Sequence, residues 1–367
     1  MIRINHSKYQ SYLKIRSKLF ICFFATIFPS FSLSGQNTFL SNIFNVTHDS
    51  NYISSYVKNY TTRIYASNKY SMMAYDDNYT GQKLNYRPNN KILLGLGVNH
   101  GFLGINIGVN FPFLNQDEEK HGQTKYYDFT LRTFTPKFNA MLYLQRYKGF
   151  YLRNTDLMIH GWEEGDPFYI RPDIRTYTVG LDLTYIFNNQ RFSYRATMLQ
   201  NEWQKKSAGS FLVGGSIIYH TTIADSSIVP SHLNPSYFFE GKDFDRSNIF
   251  SVGPIIGYAY TLVISEHFFV TASLNGSGNL GTTQLILPEN TNKIKAGIIL
   301  GFRIETLFSV GYNSERWYFG ASYMNMSQTS QSPFPERNIT FNTGIMRINI
   351  VRRFKTNKPI KILNPGS

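Results

Sequence analysis

The chain is poor in cysteine, poor in charge and, beyond its first thirty residues, without a long apolar run. Cys22 is the single cysteine among 367 residues, so neither a disulfide framework nor a thiolate metal site can form within one chain. Charged residues make up 16% of the sequence, below the ~25% usual for soluble domains. No later stretch approaches the ~18 consecutive apolar residues of a membrane-crossing helix, which argues against a helical membrane protein. Aromatic residues are abundant instead, at 16%, with 26 Tyr and 30 Phe. The mean hydropathy is nonetheless −0.27. Many rings, few charges and no greasy run suit a β-barrel, whose apolar residues are interleaved with polar ones.

The net charge is +14. Arg3, Lys8, Lys14, Arg16 and Lys18 lie in an acid-free leader. A basic excess can attract nucleic acid or anionic headgroups. No basic run with interleaved aromatics is present, so no nucleic-acid partner is expected and the remaining cations are scattered over loops and lumen. Residues 1–35 show the charged, apolar, small-residue order of a signal peptide, ending at Ser34-Gly35. Cleavage is expected near Gly35. A lipoprotein reading through Cys22 fails, because Ile21 is not small and the apolar run continues past the cysteine. Residues 36–60 are polar and weakly patterned, and read as a periplasmic N-terminal segment with room for a short helix. Residues 61–354 read as the barrel and 355–367 as a basic tail.

The barrel assignment rests on alternation. In Thr176–Phe187, Tyr177, Val179, Leu181, Leu183, Tyr185 and Phe187 share one face, and Thr178, Gly180, Asp182 and Thr184 share the other. The segment is long enough to cross a bilayer, which takes ~9–11 tilted strand residues. The design recurs around Ile92–Val98, Ile105–Phe111, Tyr127–Leu131, Phe138–Leu144, Phe192–Met198, Phe211–Tyr219, Phe250–Tyr260, Phe268–Leu274, Ile294–Tyr312, Trp317–Met324 and Ile339–Phe354, with Arg63–Met72 the weakest case. An odd number of segments is legible, whereas single-chain bacterial barrels have even numbers. Either a strand hides in 221–247, with Tyr237-Phe238-Phe239 the candidate, or Arg63–Met72 lies outside the wall. The fold class expected is therefore all-β, a transmembrane antiparallel up-and-down barrel of 14 strands, with 12 the alternative. Short turns alternate with longer polar connections at 112–125, 148–174, 278–292 and 326–338, as in barrels with long external loops.

Polar side chains suggest chemistry at several places. Asp117, Glu118, Glu119 and His121 form the densest acidic cluster, and Ca²⁺ takes carboxylate oxygens in loops. Their spacing is not that of an EF-hand, and a solvated loop explains them as well. His160, Trp162, Glu163, Glu164 and Asp166 mark a second loop that is either a recognition surface, a lumen plug or an ordinary connection. Arg87, Arg171 and Arg175, beside Tyr86, have the forks that match phosphate oxygens. With Asp182, Arg195, Arg303 and Glu305 they form a candidate anion site or a set of lumen salt bridges involving Asp173. No metal or cofactor is implied. The eight His fall in no catalytic spacing, and His100 and His267 lie in tight turns.

The stretch Tyr86-Arg87-Pro88-Asn89, the run Phe113–Lys120 with Gly122 and Lys125-Tyr126, and Tyr147-Lys148-Gly149-Phe150-Tyr151-Leu152 resemble a Bacteroidota family, the domain of unknown function 4421. Arg171-Pro172-Asp173 with Arg175, Phe187-Asn188-Asn189, Phe192–Ala196 and Ser207–Phe211 resemble it too. The similarity covers roughly residues 50 to 354. It implies an exported outer-membrane protein of a Bacteroides-like Gram-negative bacterium, and no activity. Lipid and lipopolysaccharide would surround the barrel. Phe354 resembles the terminal aromatic read by the barrel-assembly machinery, although thirteen residues follow it. The role expected is binding, structure or small-solute passage. The alternative, an enzyme acting on lipid or envelope glycan, requires an ordered Ser/His/acid set at the rim.

Overall fold

A computed structural model describes residues 47–100, 103–114, 117–159, 161–230, 237–288 and 293–355. The leader, the cleavage position, His160 and most of the basic tail lie outside these residues. Among them no helix is long and apolar enough to cross a membrane, which says nothing of strands.

Among the described residues sixteen strands follow in order: β1 (Ile53–Ser55), β2 (Tyr60–Asp77), β3 (Gln82–Arg87), β4 (Ile92–His100), β5 (Leu103–Asn110), β6 (Lys125–Phe134), β7 (Phe138–Leu152), β8 (Tyr169–Ile186), β9 (Glu202–Gln204), β10 (Ala208–Ile223), β11 (Arg246–Ile264), β12 (Phe268–Ile286), β13 (Lys293–Lys295), β14 (Ile299–Asn313), β15 (Trp317–Gln331) and β16 (Arg337–Phe354). Antiparallel pairing runs β2-β16-β15-β14-β12-β11-β10-β8-β7-β3 and returns from β3 to β2, closing a ring of ten. Beyond the ring, β4 and β5 branch from the lower half of β2, β6 branches from β7, and β13 pairs with β12. Of the fourteen strands in this sheet ten form the closed circuit, where 14 or 12 were expected in the wall. The reason is β2, whose upper half pairs with β3 and whose lower half pairs with β4. No periodicity in its sequence announces that change of partner.

Alternation decides which way each strand faces. On β8, Val179, Leu181 and Leu183 are exposed, while Thr176, Thr178, Asp182 and Thr184 are buried inside the ring. Leu94, Leu96, Ile256, Leu274, Phe302 and Ile348 continue the exposed apolar surface on other strands. An exposed apolar surface this continuous marks a protein or membrane contact. Gly180 shows how the lumen face is fitted: a Cβ there would lie 2.1 Å from the Tyr143 ring. The glycine lets that ring lie flat against the wall.

Three local expectations change. Phe192–Met198 is no strand: Tyr194–Met198 is a helical turn, N-capped by Ser193, whose hydroxyl accepts from the Ala196 amide. Both of its faces are covered, so the apolar alternation there reflects packing inside the ring. Phe238–Gly241 is likewise a 3₁₀ turn with Phe239 at φ 48° and Glu240 at φ 58°, not a hidden strand. The polar stretches at 278–286 and 326–331 belong to β12 and β15, which extend beyond the apolar band. Arg63–Met72, the weakest segment by pattern, lies within β2 in the ring.

Candidate functional site

The lumen is filled at both ends. At the end carrying the longer loops, Phe238, Phe239 and Phe244 from the β10–β11 connection sink into a cluster with Tyr75, Tyr86, Phe150 and Leu285. Asp77 fixes this cap by accepting from the Phe239 amide at 2.7 Å and from Arg337 Nε at 2.9 Å. Arg171 forks Asp173 at 2.8 Å through both nitrogens and also donates to the Ser227 carbonyl at 2.9 Å. Arg175 pairs with Asp225. These two arginines pin the cap and do not converge on an anion site. Arg87, half-buried on β3, joins neither pair.

At the opposite end the β8–β10 connection folds into the ring. Arg353 donates to the carbonyls of Gln200 at 2.7 Å and Glu202 at 3.2 Å. Arg63 and Asn99 both donate to the Leu199 carbonyl, at 3.0 and 2.7 Å. The N-terminal segment straps this plug from outside, through β1 paired with β9. His48 lies 3.3 Å from Glu202, and Arg195 Nε 3.6 Å from the same carboxylate. Burial alone would raise the Glu202 pKa, but Arg195, His48 and Ser193 outweigh it and bring it down to about 2. Burial opposes the charge on His48, yet its bond to Glu202 and that carboxylate's charge leave it raised above the ordinary 6.5. Arg195 therefore belongs to the plug and not to the wall set with which the sequence grouped it. Ser193, Glu202 and His48 come nearest to a catalytic trio, but the serine donates to the carboxylate at 2.5 Å and the imidazole touches only its far side. That order activates no nucleophile, which needs the base beside the hydroxyl.

Between the two ends a strut crosses the lumen. Arg303 on β14 forks Asp182 on β8, with both bonds at 2.5 Å, and reaches Glu305 at 3.2 Å. Tyr143 donates to the same Asp182 at 3.2 Å. These strands are not neighbours in the ring, so the pair ties opposite walls. A second strut joins Lys69 on β2 to Asp128 on β6 at 3.1 Å, with Tyr147 donating to Asp128 at 2.8 Å. Below them lies a cavity of about 220 Å³. Its floor is the plug residues Thr197–Gln200, and its walls include Arg63, Asn106, Met141, Met326 and Asn349. Of the residues grouped from the sequence, Asp182, Arg303 and Glu305 meet in the lumen. It missed Arg63, Lys69, Asp128 and Asn349, although each sits at an inward position of an alternating strand.

The acidic cluster does not assemble as a cation site. Asp117 accepts from Asn89 at 3.2 Å and contacts His121, and Glu118 pairs with Lys91. Among the described residues no group of three or more His, Cys, Asp or Glu could hold a metal. In the second loop Trp162 donates to the Pro167 carbonyl at 3.1 Å and its ring stacks on Phe168. That loop packs on itself at the rim, and the cap comes from the β10–β11 connection instead.

These features define a closed antiparallel β-barrel with an apolar exterior, two filled ends and an internal cavity of mixed lining. The chain belongs to the family of the domain of unknown function (DUF4421), whose model matches residues 47–354. Among curated proteins no relative matches. Solved structures similar to it include outer-membrane proteins. The outer membrane protease OmpT of Escherichia coli is 10% identical, with a TM-score of 0.37, covering 82% of this chain and 98% of the other. A FadL homologue of Pseudomonas aeruginosa is 8% identical, with a TM-score of 0.24, covering 81% and 91%. The toluene transporter TodX of Pseudomonas putida is 7% identical, with a TM-score of 0.21, covering 82% and 91%. Likeness this distant carries neither activity nor ligand to this chain.

Proposed function

We propose that this protein is a sealed, ligand-binding barrel of a Gram-negative outer membrane, exported with a leader removed near Gly35. Its surroundings are membrane lipid and lipopolysaccharide, and its assembly uses the barrel machinery that reads Phe354. The observation that carries the sealed reading is the filling of both lumen ends, by the Phe238–Phe239–Phe244 cap and by the Thr197–Gln200 plug. The cross-lumen strut of Arg303 and Asp182 adds to it. A spanning sheet must satisfy its backbone within itself, because an unpaired group in hydrocarbon costs several kcal/mol. The exposed apolar band and the inward charges support that placement. In hydrocarbon the wall counts twelve strands: β2, β4 to β8, β10 to β12 and β14 to β16, with β5 brought against β6.

The test is conductance. Protein reconstituted in planar bilayers is expected to be silent, and deleting residues 225–244 to open the cap is expected to leave the floor plug still blocking current. Steady ohmic conductance from the intact chain would overturn the sealed reading in favour of solute passage. No cofactor and no enzymatic step is part of the proposal.

A further inference from the structure

The apolar band around the barrel is not of even height. On the outer face, exposed apolar side chains run from Ile264 to Phe250 on β11, from Phe268 to Leu280 on β12 and from Val310 to Leu300 on β14. On β15 they stop at Tyr323, on β16 at Met346 and on β2 at Ile64. Above those points the same face carries Asn325 and Ser327 on β15, Gly344 and Asn342 on β16, and Asn68 and Tyr70 on β2, all half-buried. Met72 stands at their upper edge. These positions are neighbours. Asn325 pairs with Gly344 and Gly344 with Tyr70, while Ser327 pairs with Asn342. They form one polar notch across three adjacent strands.

The notch reaches into hydrocarbon. A strand crosses a bilayer in ~9–11 residues. Counted upward from the rings of Trp317, Phe354 and Tyr60 at the plug end, that span ends near Ser327, Gly344 and Tyr70. Asn325 and Asn68 therefore lie below its upper boundary. Polar side chains at this depth pair with one another or with protein instead of facing lipid. A second observation concerns shape. A Cβ at Gly344 would lie 2.4 Å from the Tyr70 ring. The glycine lets that ring lie flat across β16, so that Tyr70 Oη donates to Asn325 at 2.9 Å and meets Tyr323 Oη at 2.8 Å. The notch is a flat plate held by its own hydrogen bonds.

What fits this plate follows from its chemistry. Its groups are amides and hydroxyls, each able to donate and to accept, and neither an acid nor a base stands among them. A lipid tail offers them nothing, and a phosphorylated head needs cations. Outward bases stand higher, on β3: Lys83, paired with Asp76 at 2.8 Å, and Arg87. A second copy of the chain meets every requirement. Copies inserted in the same direction are related by a two-fold axis along the membrane normal, which leaves depth unchanged. Polar then faces polar and apolar faces apolar. Two-fold dimers use self-matching surfaces of this kind, and between spanning helices small residues with amide and hydroxyl side chains serve as the glue.

We propose that the outer face of β15, β16 and β2 is the interface of a two-fold dimer, in which Asn68, Tyr70, Asn325, Ser327 and Asn342 of one copy bond to those of the other. The proposal uses the membrane placement of the barrel and not its sealed lumen.

The test is energy transfer between copies in phosphatidylcholine vesicles, with the full chain labelled at Lys355→Cys in a Cys22→Ser background. Transfer is expected to saturate as protein per lipid rises. A Ser327→Cys variant is expected to cross-link to itself through a short bismaleimide, whereas Leu274→Cys on β12 is not. The protein-to-lipid ratio at half-saturation should rise at least tenfold when Asn68→Leu and Asn325→Leu are made together, which keeps size and removes the amides. It should rise as much in Ser327→Trp, which breaks the flatness of the plate, and stay unchanged in Leu274→Trp. Folding of each variant is checked by its gel shift without boiling. Transfer that grows in proportion to protein density and is equal in all variants is random proximity, and overturns the proposal. So do monomers at every ratio, and so does a shift as large in Leu274→Trp as in Ser327→Trp. A conducting barrel that dimerises sinks only the sealed-lumen reading, whereas a silent monomer sinks this inference alone.

Discussion

The two ends of the lumen are filled by different chemistry, rings at one and main-chain carbonyls at the other. The cap over the long-loop end is a cluster of rings, with Phe238, Phe239 and Phe244 set among Tyr75, Tyr86 and Phe150. The plug at the other end is held by side-chain donors on main-chain carbonyls, from Arg353, Arg63 and Asn99, and by the ionic set of Glu202, Arg195 and His48. Apolar burial, which fills the cap, is non-directional, although the pairs Asp77–Arg337, Arg171–Asp173 and Arg175–Asp225 pin its edge. A plug made by charge-assisted bonds is directional, since each donor must meet its acceptor with good geometry. The ends therefore differ in what can loosen them.

Breaking the cap should have the largest effect. Phe239→Ala removes a fully buried ring, and truncations of this kind cost about 3–5 kcal/mol. Urea unfolding of the refolded barrel, followed by its gel shift, is expected to show a loss of that size. At the floor, Arg353→Leu strands the carbonyls of Gln200 and Glu202 and the side chain of Asn313. The expected cost is about 2–3 kcal/mol, on the scale of losing hydrogen bonds to a charged group. The same unfolding measurement checks it. Greater proteolysis at 188–207 than at 224–244 in this variant would confirm that the damage is confined to one end. A smaller step is Ser193→Ala, which removes the helix cap and one bond to Glu202. About 1 kcal/mol is expected from the cap.

The pH dependence sharpens the contrast further. His48 has its pKa raised in the folded state, so its contribution is complete below its ordinary 6.5 and is lost as pH rises through the folded value above that. Glu202 is lowered to about 2 from 4.5, so its contribution is present above 4.5 and is lost as pH falls toward 2. The strap of residues 47–56 should hold best between about 4.5 and 6.5. The protection factor at Ile53–Ser55, taken against intrinsic exchange at each pH, is expected to fall above that window in the native chain and to stay flat there in His48→Gln. Exchange at Phe239 should show no such dependence. The smallest effect belongs to the rim: Lys355→Ala removes an exposed pair with Glu315, and less than ~1 kcal/mol should follow.

The wall was far more legible in the sequence than these closures. Val179, Leu181 and Leu183 against Thr178, Asp182 and Thr184 declare two faces because every strand residue points one way or the other. The same rule placed Asp182, Arg303 and Glu305 inward, where Arg303 and Asp182 meet across the lumen. It misled at Phe192–Met198, where burial on all sides imitates alternation. It offered Tyr237-Phe238-Phe239 as a hidden strand, where the structure has a 3₁₀ turn with Phe239 and Glu240 at positive φ. Arg171 and Arg175 were suspected of anion binding, but Asp173 and Asp225, brought up by folding, occupy them.

By itself, then, the order of residues determined that strands form, which face each turns outward, and that charges point in. These are nearest-neighbour facts, set by the period of the pleat and by the cost of placing a charge against oil. Which strands pair, that β2 changes partner halfway, and that two connections fold back to fill the ends were decided only by the tertiary structure. Each depends on contacts between residues far apart in the chain, whose free energy exists only once the ring has closed around them.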